Sequence, residues 1–210
     1  MQTRQTQLAN IIEDLSANGY AICEDFLSED IIKALANVAQ KCFISGNMQA
    51  AKTGKKVNRH KPEIRGDCIV WLDETTLDTN IQAYLSAMHA LKLALNEQLM
   101  MNVQALETHL ALYPVGAAYL KHLDQFQQGS DATSQARQLS SVLYLNQDWQ
   151  AADGGELRLY LNEQAFIDIA PSAARLVLFL SAKFWHEVLP AKRERMSVTG
   201  WFRTRNALLI

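Results

Sequence analysis

The spacing of apolar positions changes near residue 102. Before that point apolar residues recur every three or four positions, which aligns them on one face of a helix. Leu8, Ile11, Ile12 and Leu15 form a first stripe, and Asn18-Gly19 behind it supplies the left-handed stop that commonly closes a helix. A short strand is predicted over YAICEDF, residues 20–26. Ser28 then precedes an acidic first turn, Glu29 and Asp30, and the stripe Ile31, Ile32, Leu35, Val38, as expected of a capped second helix. Residues 45–67 have no periodicity and read as irregular. Ile81, Leu85, Met88, Leu91, Leu95 and Leu99 predict a third helix from Thr79 to about Met101.

After Asn102 the chain breaks into short runs rich in β-branched and aromatic residues, separated by turn residues: HLALYP, AAYLKHLD, LSSVLYLN, ELRLYL, AFIDIA, RLVLFL, WHEVLP and RMSVTGWF. Runs at this spacing, with no helical pattern between them, predict an antiparallel double sheet of jelly-roll type. The helices would cover one outer face of it. The expected fold class is α+β, mainly β, with a jelly-roll core and about three N-terminal supporting helices. Residues 1–210 are expected to form a single domain, in which 1–101 supply helical support and framing strands and 102–210 the sheets.

Composition narrows the function classes. Hydrophobic residues make up 49% and charged residues 20%, which excludes a disordered or collagen-like chain. A formal net charge of -2 gives no global field for a phosphate backbone, so no nucleic-acid partner is expected. The loop of residues 52–65, with Lys55, Lys56, Arg59 and Lys61, is locally basic and reads as a solvated loop, with a guide for an acidic partner as the alternative. Cys23, Cys42 and Cys68 are odd in number and form no CxxC pair, which implies neither a disulfide framework nor a zinc knuckle and fits a reducing compartment. No window approaches the ~18 to 20 apolar residues of a membrane span. A cytoplasmic protein without a membrane partner is expected.

The candidate chemistry lies in the second half. Alternate side chains of a strand share a face, so His122 and Asp124 of KHLDQF are expected to project together at a strand end. His186 is far away in sequence yet easily adjacent in a rolled sheet. Two histidines and one carboxylate on a triangular face leave three coordination positions open, the arrangement of non-haem Fe(II) oxygenases. HxD is a common pair, and what gives it weight is Arg195, nine residues after His186. From Arg195, the residues Thr199, Trp201 and Arg203 have the same parity. Arginine cannot be neutralised in a protein and matches a carboxylate with two parallel hydrogen bonds. A small dicarboxylate, one end on iron and the other on Arg195, is a natural occupant. Trp71, Trp149 and Trp185 read as packing residues, Asp153 before Gly154-Gly155 as a turn, and His60, His89 and His109 as residues without assigned chemistry.

The stretch from about Arg65 to Arg203 resembles the 2-oxoglutarate and Fe(II)-dependent prolyl hydroxylases, of the oxygen-sensing type and its bacterial counterparts. The resemblance is carried by IRGD at residues 64–67 with Val70-Trp71, Tyr113-Pro114, YLKHLD at 119–124, Arg137 seven residues before Tyr144, LYLNQDW at 143–149, GGEL at 154–157, HEVLPA at 186–191 and RMSVTGW at 195–201. It implies a double-stranded β-helix in which His122, Asp124 and His186 hold the metal. It implies that Arg195 holds the distal carboxylate of 2-oxoglutarate with Tyr144 and Thr199, in a pocket lined by Tyr113 and Leu157. Arg137, Tyr119 and Trp201 would meet the target prolyl segment, with Arg65, Asp67 and Trp71 framing it. Ser140 stands where the animal enzymes usually have threonine. Fe(II), 2-oxoglutarate and O2 would be the cofactors, with ascorbate in support, and the partner a protein bearing a target proline, such as a translation factor. The residues themselves leave two alternatives open: an oxygenase acting on a free amino acid or nucleobase, and a non-enzymatic jelly-roll binding or sensing protein. Residues 125–136 read either as a hairpin loop or as a lid over the substrate.

Overall fold

The computed structural model describes residues 3–51, 63–125 and 136–204. The first half gives α1 (Arg4–Asn18), β1 (Tyr20–Cys23), α2 (Glu29–Ile44), β2 (Gln49–Ala50), β3 (Cys68–Trp71) and α3 (Thr79–Leu99). Gly19 ends α1 at φ 80°, its N–H bonded to the Leu15 carbonyl. Ser28 is extended at the start of α2 but makes no side-chain cap bond. The start of α3 is instead fixed by Asp78, whose carboxylate accepts from the N–H groups of Asn80 and Ile81. The second half gives β4 (Ala105–Tyr113), β5 (Tyr119–His122), β6 (Arg137–Tyr144), β7 (Leu157–Tyr160), β8 (Phe166–Ile169), β9 (Leu176–Leu180), β10 (His186–Val188) and β11 (Arg195–Arg203). All eight predicted strands are present. The two-residue β2, inside a region expected to be irregular, is too short to leave a periodic trace. Much of the basic loop (52–62), most of the polar stretch (126–135) and the C-terminal NALLI lie outside the described residues.

The strands form a seven-stranded sheet, ordered β1-β9-β6-β11-β4-β3-β2, and a four-stranded sheet, ordered β5-β10-β7-β8. Alternation along the large sheet separates two environments. Leu110 and Leu112 of β4, Leu139 and Leu143 of β6, Leu176 and Leu178 of β9, and Val198 and Phe202 of β11 pack with the helices. The intervening Ala111, Tyr113, Val142, Tyr144, Val177 and Phe179 face the small sheet and pack with Leu157, Leu159 and Val188. Both faces are covered, which is why these strands read as apolar runs rather than alternating ones.

The helix layer is tied to the central strands by polar contacts as well. Thr108 Oγ1 donates to the Thr199 carbonyl at 3.0 Å, which uses its one proton, so the buried Tyr84 hydroxyl of α3 donates to Thr108 at 3.0 Å. Gly200 lies beside this junction, and a Cβ there would stand 2.8 Å from the Glu107 carbonyl oxygen. Gly200→Ala is therefore expected to lower stability by about 1–3 kcal/mol, measured by urea unfolding. Two of the expected packing tryptophans are not interior residues: Trp71 is 50% and Trp185 47% exposed. Trp149 does pack as expected, with its indole N–H donating to the Gly154 carbonyl at 2.9 Å.

Candidate functional site

The two histidines are placed by the register of the small sheet, in which His122 at the end of β5 lies opposite His186 at the start of β10. Their ring centroids are 4.2 Å apart. Asp124 is not part of the strand, as the HxD pattern suggested. The chain leaves β5 after His122, and a bend brings the carboxylate back between the rings. Its oxygens lie 3.7 Å from His122 Nε2 and 3.5 Å from His186 Nε2. One ligand atom from each residue falls within 4.8 Å of the others.

The surroundings fix the chemical form of these ligands. His122 Nδ1 lies 2.7 Å from the Leu120 carbonyl and His186 Nδ1 lies 3.1 Å from the Phe184 carbonyl. A carbonyl only accepts, so both Nδ1 atoms carry a proton, which leaves Nε2 as the ring atom that each histidine turns toward Asp124. Burial, with His186 beside it, lowers the His122 pKa to about 4, so the ring is neutral at physiological pH. Burial works against ionisation of Asp124, but the two histidines and the Ser140 hydroxyl outweigh it and hold the carboxyl below its ordinary range. Two imidazoles and a carboxylate form a donor set that fits Fe(II). Tyr119 stacks on His122 at 3.6 Å between ring centroids, and the Arg65 guanidinium carbon lies 4.8 Å from the Tyr119 ring centroid. Arg65 is itself held by two bonds to Asp67, at 2.6 and 2.9 Å.

Ser140 Oγ donates to Asp124 Oδ2 at 2.6 Å and lies 2.8 Å from Ser181 Oγ. With its single proton on the carboxylate, Ser140 must accept from Ser181, so the chain has one polarity. The partners of a metal-bound carboxylate typically contribute ten- to a hundredfold in metal affinity. Ser140→Ala is expected to weaken Mn(II) binding by about that factor, with Ser140→Thr close to the parent, in equilibrium dialysis of the apoprotein.

Across the pocket, Arg195 is 2% exposed. Its Nε donates to the Gly155 carbonyl at 2.9 Å and an Nη to the Tyr144 hydroxyl at 3.3 Å. The rings of Tyr113 and Tyr144 lie 5.1 and 4.9 Å from the guanidinium carbon. No carboxylate of the described residues forms a salt bridge with it, although burial of an unpaired cation is costly. Gly155 makes room here, since a Cβ would stand 2.8 Å from that of Ala191 and 3.5 Å from Arg195 Cδ.

The pocket wall brings Tyr113, Tyr119, Leu157, Arg195, Thr199 and Trp201 together with the three candidate ligands. Tyr144 reaches it through Arg195, and Thr199 is bonded to the Ser197 hydroxyl at 3.2 Å. Arg137 is not among the lining residues, but its guanidinium lies 3.5 Å from the Trp201 ring centroid. The Trp201 indole N–H is directed toward Asp124 without closing a hydrogen bond of good geometry. Sequence reasoning missed His109, which also lines the pocket. Its parity with Tyr113 along β4 is the signal that could have found it.

Residues 108–203 match the family model of the 2OG-Fe(II) oxygenase superfamily. A solved Pseudomonas putida prolyl-4-hydroxylase is 42% identical, with a TM-score of 0.83 over 94% of this chain and 99% of that one. The chain belongs to the 2-oxoglutarate/Fe(II)-dependent prolyl hydroxylase family. A second member of the family, a Trichoplax adhaerens prolyl hydroxylase solved with an oxygen degradation domain peptide fragment of hypoxia inducible factor, has a TM-score of 0.83 at 27% identity and covers 97% of this chain and 94% of that one. The hypoxia-inducible factor prolyl hydroxylase of Caenorhabditis elegans is 30% identical over 94% of this chain, which spans only 28% of that protein's length. The double-stranded β-helix of the family is the pair of sheets described above.

Proposed function

We propose that the protein is a 2-oxoglutarate-dependent dioxygenase that hydroxylates a prolyl residue of a protein substrate, with succinate and CO2 as coproducts. The observation that carries this reading is the pairing, in one pocket, of a His-Asp-His cluster with a buried arginine that has no acidic partner among the described residues. His122, Asp124 and His186 would hold Fe(II), which when bound supplies the activation of dioxygen coupled to decarboxylation of 2-oxoglutarate. Arg195 takes the distal carboxylate of the cosubstrate, and the Tyr144 hydroxyl, with Thr199 close by, fixes its orientation. Tyr113 and Leu157 close that end of the pocket and exclude water. Tyr119, Trp201 and Arg137 receive the prolyl segment. A proteinaceous substrate is favoured by the peptide bound to the Trichoplax relative. Ascorbate is assigned the supporting role of keeping the iron reduced.

No helix among the described residues is long and apolar enough to cross a membrane. We propose a cytoplasmic target, with a translation factor as one candidate. The test has two parts: succinate release from 2-oxoglutarate with Fe(II), with and without candidate prolyl peptides, and a proteomic search for prolines that gain one oxygen only in cells making the protein. Peptide-stimulated succinate and a matching oxidised proline are expected. Stimulation by free amino acids or nucleobases but by no peptide would reject the prolyl substrate, and no turnover with the metal bound would reject the enzyme.

A further inference from the structure

His109 is the group in this pocket that the reaction, as described so far, does not use. It is 1% exposed, and neither of its ring nitrogens has a hydrogen-bond partner among the described residues. Burial, with the Arg65 guanidinium nearby, lowers its pKa to about 3. The ring is therefore neutral, with one N–H to donate and one bare nitrogen. Orphaned buried polar atoms are uncommon in folded proteins, and one explanation for them is a partner that arrives with a ligand.

The position of His109 indicates which ligand. Tyr113, Ala111, His109 and Glu107 alternate along one face of β4, and in the ladder they lie opposite Arg195, Ser197, Thr199 and Trp201 of β11. Tyr113 and Arg195, 6% and 2% exposed, form the closed end of the pocket. At the other extreme Glu107 carries the salt bridges to Arg137 and Arg203. His109 lies between these limits, four residues or about 13 Å of strand from Tyr113. Its ring sits between Trp71, at 4.9 Å between centroids, and Trp201, at 5.4 Å. Trp71 is half exposed whereas His109 and Trp201 are buried and line the pocket, so this aromatic group runs from the protein surface to the pocket wall, well away from Arg195 along the strand.

What enters from that surface, on the reading given above, is a prolyl segment. A peptide bond to proline offers a carbonyl and no N–H, so an imidazole N–H is complementary to it. The two flanking indoles offer apolar faces to a pyrrolidine ring. We propose that His109 is a specificity-determining substrate contact, donating a ring N–H to a main-chain carbonyl next to the target proline. This inference rests on the prolyl hydroxylase reading.

His109→Met keeps the bulk and removes the donor, whereas His109→Gln restores an N–H. Each variant and the parent are loaded with Mn(II) and 2-oxoglutarate. They are then titrated with two peptides, the hypoxia-inducible-factor fragment used with the Trichoplax relative and a peptide bearing the proline found in the proteomic search. The expected result is that His109→Met weakens peptide binding by about tenfold, with 2-oxoglutarate and Mn(II) affinities unchanged, and that His109→Gln recovers most of the loss. Equal peptide affinity in parent and His109→Met overturns the assignment. So does a loss confined to 2-oxoglutarate, which would make His109 a cosubstrate contact. A parent that consumes 2-oxoglutarate but binds neither peptide rejects the prolyl hydroxylase reading itself, a result distinct from the other two. Thermal midpoints of the variants separate a lost contact from a lost fold.

Discussion

His186→Ala is expected to abolish turnover, with succinate formation falling by at least about a thousandfold, which is ~4 kcal/mol of transition-state stabilisation. The ring it removes is one of three side chains that converge in the cluster among the described residues, and its Nε2 faces Asp124 3.5 Å away. The remaining pair, His122 and Asp124, cannot span a triangular face. The variant should therefore also lose its metal. Metal content after dialysis, measured by atomic absorption, is the check that separates a missing ligand from a damaged pocket. A variant that keeps stoichiometric iron and loses only its rate would remove His186 from the ligand set. Phe179 packs against the ring at 4.7 Å, so the cavity left by alanine will also cost some stability. His186→Gln, which fills more of that space, provides the control.

The second large effect is at Arg195. A charge-assisted contact typically contributes ~1.5–3 kcal/mol, so Arg195→Met is expected to raise the 2-oxoglutarate Kd by tenfold to more than a hundredfold. Iron retention should be unchanged, because Arg195 touches Gly155 and Tyr144 and none of the candidate ligands. Stability should move in the opposite direction from affinity. A buried cation without a counter-ion is costly, and an apolar side chain of similar length removes that cost. Without cosubstrate the variant is expected to melt at the parent's temperature or higher, while losing the upward shift that 2-oxoglutarate gives the parent. Thermal melts with and without the cosubstrate test both signs at once. If the ligand-free variant instead melts well below the parent and binds 2-oxoglutarate as tightly, Arg195 is a structural residue.

The fold was legible because the chain uses two clean periods. The three helices carry stripes at three and four residues, and the strands are buried apolar runs separated by turn residues. What the spacing could not convey was local. HxD suggested alternation on a strand, but the strand ends at His122 and a bend supplies the carboxylate. Ser28 looked like a cap and makes no cap bond, whereas Asp78, an equally good capping residue, does. Trp71 and Trp185 defied the usual burial of large aromatics. Trp71 does so because it stands beside a pocket, packed on His109, and no periodicity reports where a cavity will open. The parity that groups Arg195, Thr199 and Trp201 on β11 also groups Tyr113 with His109 on the neighbouring β4. Ser181 stands in no motif that marks it, and its contact with Ser140 comes from the pairing of β6 with β9.

The two-sided burial of the large sheet also sets how small a working fragment can be. The family match covers residues 108–203, yet a polypeptide cut to those limits would leave Leu110, Leu112, Leu139, Leu178 and Phe202 facing water where the helices had been. It would also strip both flanks of the sheet, since β1 and the β2-β3 pair lie outside it. Such a fragment would expose a broad apolar surface between unpaired strand edges and would aggregate before it could bind iron. The helical half is thus part of the smallest unit that can carry the chemistry.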